Sequence, residues 1–175
     1  DTLAIRGDCY IRTPRFSGAT IIASGTVYLE PGSVCRDGLI VAQAIKCSGG
    51  TSSGMLFFAN NAIHLAGGIH ESQFFALDSV VVEKEVEFGL SNVIVVKRTS
   101  SRDTTFTGPG IRYRANSTGR GTSICYVDST DSLARRWSTR TPSIVLEKGC
   151  RYEGALICDG DIDMKHVRIQ GMLWV

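Results

Sequence analysis

Three aspartates close together in sequence are the first candidates for chemistry. Asp159, Asp161 and Asp163 lie in the segment 159–163, and a hard cation such as Ca²⁺ requires several oxygen ligands at close spacing. The segment lacks the sixth-position Gly and the terminal Glu of an EF-hand loop. We therefore interpret it as a polar turn between two strands and predict no metal site.

The three histidines, His64, His70 and His166, are the candidates for a general base. His64 and His70 share one stretch in which Glu71 is the neighbouring acid. The sequence has no G-x-S-x-G motif and no Cys with a convincing local base. We interpret the histidines as packed or surface residues, and we predict no catalytic residue, no cofactor and no enzymatic activity.

A cluster of basic and aromatic residues is the best candidate for a binding surface. It comprises Arg112, Tyr113, Arg114, Arg135, Arg136 and Trp137. Arginines interleaved with aromatic rings bind glycans, other anionic polymers or nucleic acids. Acidic neighbours and a formal net charge of only +2 argue against a nucleic-acid partner. We predict that this cluster contacts a protein partner or a glycan.

The elements that carry these residues follow a repeated β pattern. Placing Val27 on Ile144 aligns Leu29 with Leu146 and Glu30 with Glu147, and continues without a gap to place Leu39 on Leu156. A third copy begins at Val80 and is followed by a slightly longer turn before 93–96. Such self-similarity is typical of a solenoid, in which each coil buries its apolar side chains against its neighbours.

The repeat therefore predicts an all-β parallel β-helix of about seven to nine coils, given roughly twenty residues per coil. The three copies are not adjacent, so we expect degenerate coils between them. Glu30, Glu83 and Glu147 are expected at the first corner of their coils, as solvated turn residues rather than as an acidic ladder. The chain of 175 residues, 43% hydrophobic, suits one domain spanning 1–175.

Residues 98–142 interrupt this pattern with a polar, Ser-, Thr- and Arg-rich sequence that contains Gly108-Pro-Gly110. We predict that this segment is an insertion-like excursion from the solenoid. Within it we expect a strand at 123–127 and one helical turn at 131–137.

Six cysteines permit three disulfides, which form in exported proteins. The alternative is that they fill small positions of a β core. The chain begins at Asp1 with no apolar signal core, so we expect that a leader or membrane tether lies outside it. These features favour an exported protein, periplasmic or at the cell surface.

The segment 143–158, followed by Gly160-Asp-Ile162 and Val167-Arg-Ile-Gln-Gly171, resembles the bactofilins, polymer-forming bacterial scaffold proteins. The resemblance covers 143–175 well and 26–47 and 79–96 loosely. It implies a right-handed β-helix that assembles with copies of itself and uses no cofactor. The cysteines and the excursion are more typical of β-solenoid envelope proteins of the kind associated with pili.

Two hypotheses for function follow. The first is a non-enzymatic structural or assembly component of a bacterial cell envelope or surface appendage, acting through self-association or docking with other envelope proteins. Its contact surface is either the ends of the solenoid, including Trp174 and Val175, or the excursion. The second is a glycan- or metal-binding β-helix module that uses the excursion.

Overall fold

The computed structural model describes residues 1–12, 15–100, 108–129 and 143–175. Of Ser100 and Ser129 only the backbone is described. In these residues the chain is all-β, and every strand pairing is parallel. The predicted parallel β-solenoid is confirmed, with about eight coils.

Each coil passes along three faces, which we call A, B and C in chain order, and β1 (Thr2–Ile5) lies on face C before coil 1. Coils 1 and 2 comprise β2 (Cys9–Ile11), β3 (Phe16–Ser17) and β4 (Thr20–Ala23), then β5 (Thr26–Leu29), β6 (Val34–Arg36) and β7 (Leu39–Ala42). Coils 3 and 4 are the long bent strands β8 (Ala44–Ala59) and β9 (Ala62–Ala76). Coil 5 comprises β10 (Ser79–Val82), β11 (Val86–Phe88) and β12 (Val93–Ser100). Coils 6, 7 and 8 comprise β13 (Ile111–Tyr113) with β14 (Thr118–Ser129), β15 (Ile144–Leu146) with β16 (Arg151–Cys158), and β17 (Ile162–Met164) with β18 (Arg168–Trp174).

The coils stack in register, so each position forms a column along the rod. Val27 pairs with Ile45 and Ile45 with Ile63, which makes an undisturbed coil 18 residues long. Strand neighbours lie about 4.8 Å apart, and alternate side chains point inward. The inward columns form one continuous core in which Val27, Ile45 and Ile63 have no exposed surface.

The predicted repeat is confirmed on face A and is displaced by one residue on face C. Val27 and Ile144 are both buried on face A. On face C, however, the register joins Ile40, through the intervening coils, to Leu156 rather than to Ile157. The cause is the corner between faces B and C, which has two residues in coil 2, Asp37 and Gly38, and only Gly154 in coil 7.

The prediction that 98–142 leaves the solenoid is wrong for the part of this segment that is described. Residues 93–100 pair along their whole length with 122–129, and β13 pairs with β10 and β15. Polar residues are accommodated here because many of them point outward from regular strands. The expected strand at 123–127 is confirmed as part of β14. The segments 101–107 and 130–142, with the expected helical turn, lie outside the described residues.

No disulfide joins the six cysteines, all of which lie in described residues, so the disulfide prediction is wrong. Five are buried and fill small inward positions. Burial raises the pKa of Cys35 to about 11 and that of Cys125 to about 12, which keeps both as unreactive thiols at neutral pH. The cysteines therefore no longer support export.

A column of glycines makes the corner between faces B and C in the last coils. Gly121, Gly154 and Gly171 pair in register and all have positive φ, 98°, 138° and 145°. A Cβ atom on Gly154 would overlap the carbonyl oxygen of Gly121. The stacking distance at this corner therefore depends on the absence of side chains.

We predict that Gly154→Ala lowers the free energy of unfolding by about 2–5 kcal/mol, because it combines a disfavoured φ with a backbone overlap. Gly108→Ala is the matched control, since a Cβ atom there meets nothing within 4 Å. Urea unfolding of both variants measures the difference. Equal stability of the two variants would contradict the conclusion that this corner requires glycine.

Candidate functional site

The predicted binding cluster is dispersed by the fold. Arg112 and Arg114 lie on and directly after β13, and their side chains are 32% and 43% exposed. Tyr113, between them, points into the core and is 1% exposed, so the prediction that it lies on a ligand surface is wrong. Strand alternation separates the ring from the two guanidinium groups. Arg135, Arg136 and Trp137 lie outside the described residues.

Tyr113 belongs to a buried hydrogen-bond network instead. Its hydroxyl lies 2.8 Å from Ser123 Oγ, to which the Tyr152 hydroxyl donates at 2.9 Å. The two rings meet edge to face with centroids 5.4 Å apart, and Gly119 leaves the room that they occupy. Burial raises the pKa of Tyr113 well above its usual value, so the phenol stays neutral and acts as a structural group.

Both exposed arginines are used in ion pairs between coils. Arg114 lies 3.2 Å from Glu147 on the next coil and 3.7 Å from Glu83 on the preceding one. Arg112 lies 3.7 Å from Glu147, and His64 is 3.1 Å from Glu83. Along the first corner Arg114 therefore lies between Glu83 and Glu147, whereas stacked like charges would repel.

The three glutamates predicted at this corner do lie there. Glu30 binds Arg12 of coil 1 at 2.7 Å. Glu83 and Glu147 do not form an acidic ladder, because Arg114 of coil 6 lies between them. The arginines therefore neutralise this corner, and their ion pairs compete with any anionic ligand.

A second polar group lies inside the rod. His70 Nε2 donates to the Gly67 carbonyl at 3.1 Å, and His70 Nδ1 lies 2.9 Å from Ser52 Oγ. Ser72 Oγ donates to Ser52 Oγ at 2.8 Å. Since a carbonyl oxygen only accepts, Nε2 carries the proton and Nδ1 accepts from Ser52.

Ser52 and His70 are buried packing residues, and the Ser52 hydroxyl is not positioned as a nucleophile. His70 has no exposed surface, and its ring meets Phe74 edge to face at 5.7 Å. Burial lowers the pKa of His70, an effect that the Gly67 carbonyl partly opposes. The interpretation of His70 as a packed residue is confirmed, while His64 lies at the surface beside Glu83 of the next coil.

The aspartate segment forms the expected turn. Asp159 and Gly160 lie in a bend before β17, and Asp163 lies 3.9 Å from Lys165. Within the described ranges, no group of three His, Cys, Asp or Glu side chains is arranged to hold a metal ion. Likewise, no helix there has the length and apolarity of a membrane span.

One uncharged surface of the described residues is not predicted by the sequence pattern. On face C two columns of outward positions run in register along the described coils, and we call these two columns the apolar face. The ion pair between Lys97 and Asp128 lies beside it, where β12 and β14 extend further. The first column is Thr20, Leu39, Leu56, Gln73, Val93, Thr122, Ala155 and Met172. The second is Ala4, Ile22, Val41, Phe58, Phe75, Val95, Ile124, Ile157 and Trp174.

Neither column contains a charged residue. The side chains are half-buried by their own neighbours, and the more exposed ones include Ile22 at 45% and Trp174 at 65%. Phe58 and Phe75 stack with centroids 5.6 Å apart. The signal in the sequence is a run such as Leu39–Ala42 or 93–96, in which both alternating sets are apolar and no polar outer set remains.

In comparisons with known proteins, no protein-family model, no curated protein and no solved structure matches this chain.

We predict that acid destabilises the protein through His70. Its folded-state pKa is lowered, so below the unfolded value of about 6.5 the unfolded chain binds the proton first. The contribution of neutral His70 is complete above that pH and is lost as the pH falls towards the folded-state pKa. Between pH 7.5 and 5, the free energy of unfolding should fall more steeply for the wild type than for His70→Gln. Parallel profiles in urea titrations would contradict this role.

Proposed function

We propose that this chain is a non-enzymatic structural component that assembles with copies of itself. We place it in a bacterial cell envelope or surface appendage, exported to the periplasm or the cell surface. Self-assembly in a bacterium is supported by the resemblance of 143–175 to the polymer-forming bactofilins, and the envelope location stays the prediction made from the sequence. The glycan- or metal-binding alternative remains a prediction, and the ion pairs of Arg112 and Arg114 do not favour it.

The apolar face is the observation that supports self-association. Outward positions on face A include Lys46, Arg112 and Asp163, and those on face B include Arg36 and Glu153. Face C differs because the two columns of the apolar face are uncharged along all eight coils. Depletion of charge together with aromatic side chains is typical of the core of a protein interface.

The size of the apolar face fits a second copy. Eight rungs about 4.8 Å apart and two columns about 7 Å apart give a patch of roughly 600 Å² once side chains are included. Two such patches would bury about 1,200 Å² together, the lower end of the range for specific complexes. A second copy also presents the same rung spacing, so its side chains can interdigitate along the whole rod.

We predict that Val95→Glu converts the assembled protein to a monomer, because it buries a carboxylate among Phe75 and Ile124, while the nearby Lys97 already pairs with Asp128. Val81→Glu is a matched control. Val81 lies on the same coil, points outward on face A and is also half-buried, but its register neighbours are His64 and Arg112. Light scattering across a concentration series should show at least a tenfold loss of affinity for Val95→Glu alone.

A wild-type protein that stays monomeric at about 100 µM, far above the Kd of most specific complexes, would overturn the proposal. Vesicles of neutral phosphatidylcholine test the alternative that the apolar face binds lipid. Binding to vesicles by a monomeric wild type, lost in Val95→Glu, would assign the face to lipid and overturn self-association. In the source bacterium, recovery of the protein only in the soluble cytoplasmic fraction would contradict the envelope location.

A further inference from the structure

The two columns of the apolar face are uneven in side-chain size along the rod. In the second column the two phenylalanines, Phe58 and Phe75, lie in coils 3 and 4, and β-branched residues, Val95 and Ile124, follow in coils 5 and 6. In the first column the larger Leu39 and Leu56 lie in coils 2 and 3, whereas Thr122 and Ala155 lie in coils 6 and 7. The middle of the face therefore changes from large to small side chains.

Two symmetric arrangements bring this face against its own copy. A two-fold axis along the rod gives parallel rods and places the first column against the second column of the partner, rung for rung. A two-fold axis in the interface but perpendicular to the rod gives antiparallel rods. It places each column against itself in reverse order. Both arrangements are isologous, so the same patch is used on both copies.

The antiparallel arrangement matches large side chains with smaller ones at most positions. With the axis between coils 4 and 5, coil 4 faces coil 5 of the other copy, coil 3 faces coil 6, coil 2 faces coil 7 and coil 1 faces coil 8. The second column then pairs Phe75 with Val95, Phe58 with Ile124, Val41 with Ile157 and Ile22 with Trp174. The first column pairs Gln73 with Val93, Leu56 with Thr122, Leu39 with Ala155 and Thr20 with Met172.

The parallel arrangement makes the total side-chain size differ from rung to rung instead. It places Phe58 against Leu56 and Trp174 against Met172, while Val95 meets only Val93 and Ile157 meets only Ala155. Two rigid faces held apart by the large pairs leave gaps at the small ones. Because a gap forfeits dispersion contacts and creates a cavity, the parallel face packs less well.

We infer that two copies pack through the apolar face as an antiparallel dimer, with the two-fold axis between coils 4 and 5. This inference rests on the proposed self-association and names its geometry. A two-fold contact uses the face completely, so it closes the assembly at a dimer. Any further growth of the assembly then requires a different surface.

Distances between identical labels on the two copies test the orientation. Lys46 in coil 3 and Asp163 in coil 8 both point outward on face A, away from the interface. Spin labels on Lys46→Cys and Asp163→Cys, in a Cys9→Ser background that removes the one cysteine that is not fully buried, report one intermolecular distance each.

In the antiparallel dimer the two labels at position 46 are offset along the rod by three rungs, about 14 Å, and those at position 163 by seven rungs, about 34 Å. We expect the distance at position 163 to exceed that at position 46 by about 10 Å or more, given the same rung spacing. Adding Val95→Glu should abolish both intermolecular signals, which assigns them to the apolar face.

Equal distances at the two positions would show parallel rods and overturn this inference while self-association stands. Intermolecular distances that survive Val95→Glu would place the contact on another surface and overturn it as well. An absence of any intermolecular distance at concentrations where light scattering finds only monomer would overturn the proposed function together with the inference.

Discussion

Parallel backbone pairing between successive coils is the constraint on which the rest of this structure depends. Because each coil lies about 4.8 Å above the previous one, every position is repeated as a column, and the side chains of a column must tolerate direct stacking. Inward columns satisfy this with Val, Ile and Leu, and the corner of Gly121, Gly154 and Gly171 satisfies it by having no side chain. Which side chain a position tolerates therefore depends on the other residues of its column.

The same constraint bears on the charges of the first corner and of face C. Like charges in one column would face each other at the rung spacing, and the first corner avoids this by alternating Glu83, Arg114 and Glu147. On face C the two columns of the apolar face contain no charged residue, and the charged pair Lys97–Asp128 lies beside them on the longer ends of β12 and β14. Stacking in register therefore accounts both for the neutralised first corner and for the apolar face, which is the candidate interface.

The sequence pattern predicts the architecture well because each repeat unit lies within a single coil. Alternation around Val27, Val80 and Ile144, with Glu at the following corner, was enough to predict a parallel solenoid with degenerate coils between the copies. The prediction is wrong where the polar composition of 98–142 indicates a departure from the solenoid. Arg112 and Thr122 are polar, yet they lie on strands that pair in register, because the outward positions of a solenoid strand do not have to be apolar.

The sequence by itself determined the fold class, the approximate number of coils and the corner positions of the glutamates, since alternation and turn residues act within one coil. Only the tertiary structure decided which residues share a column, since that depends on how many residues each corner and each long coil contains. The register placed Arg114 between two glutamates, turned Tyr113 into the core, left the six cysteines as thiols and aligned the outward residues of face C. Those alignments join residues 17 or more positions apart, a separation across which a local pattern carries no information about contact.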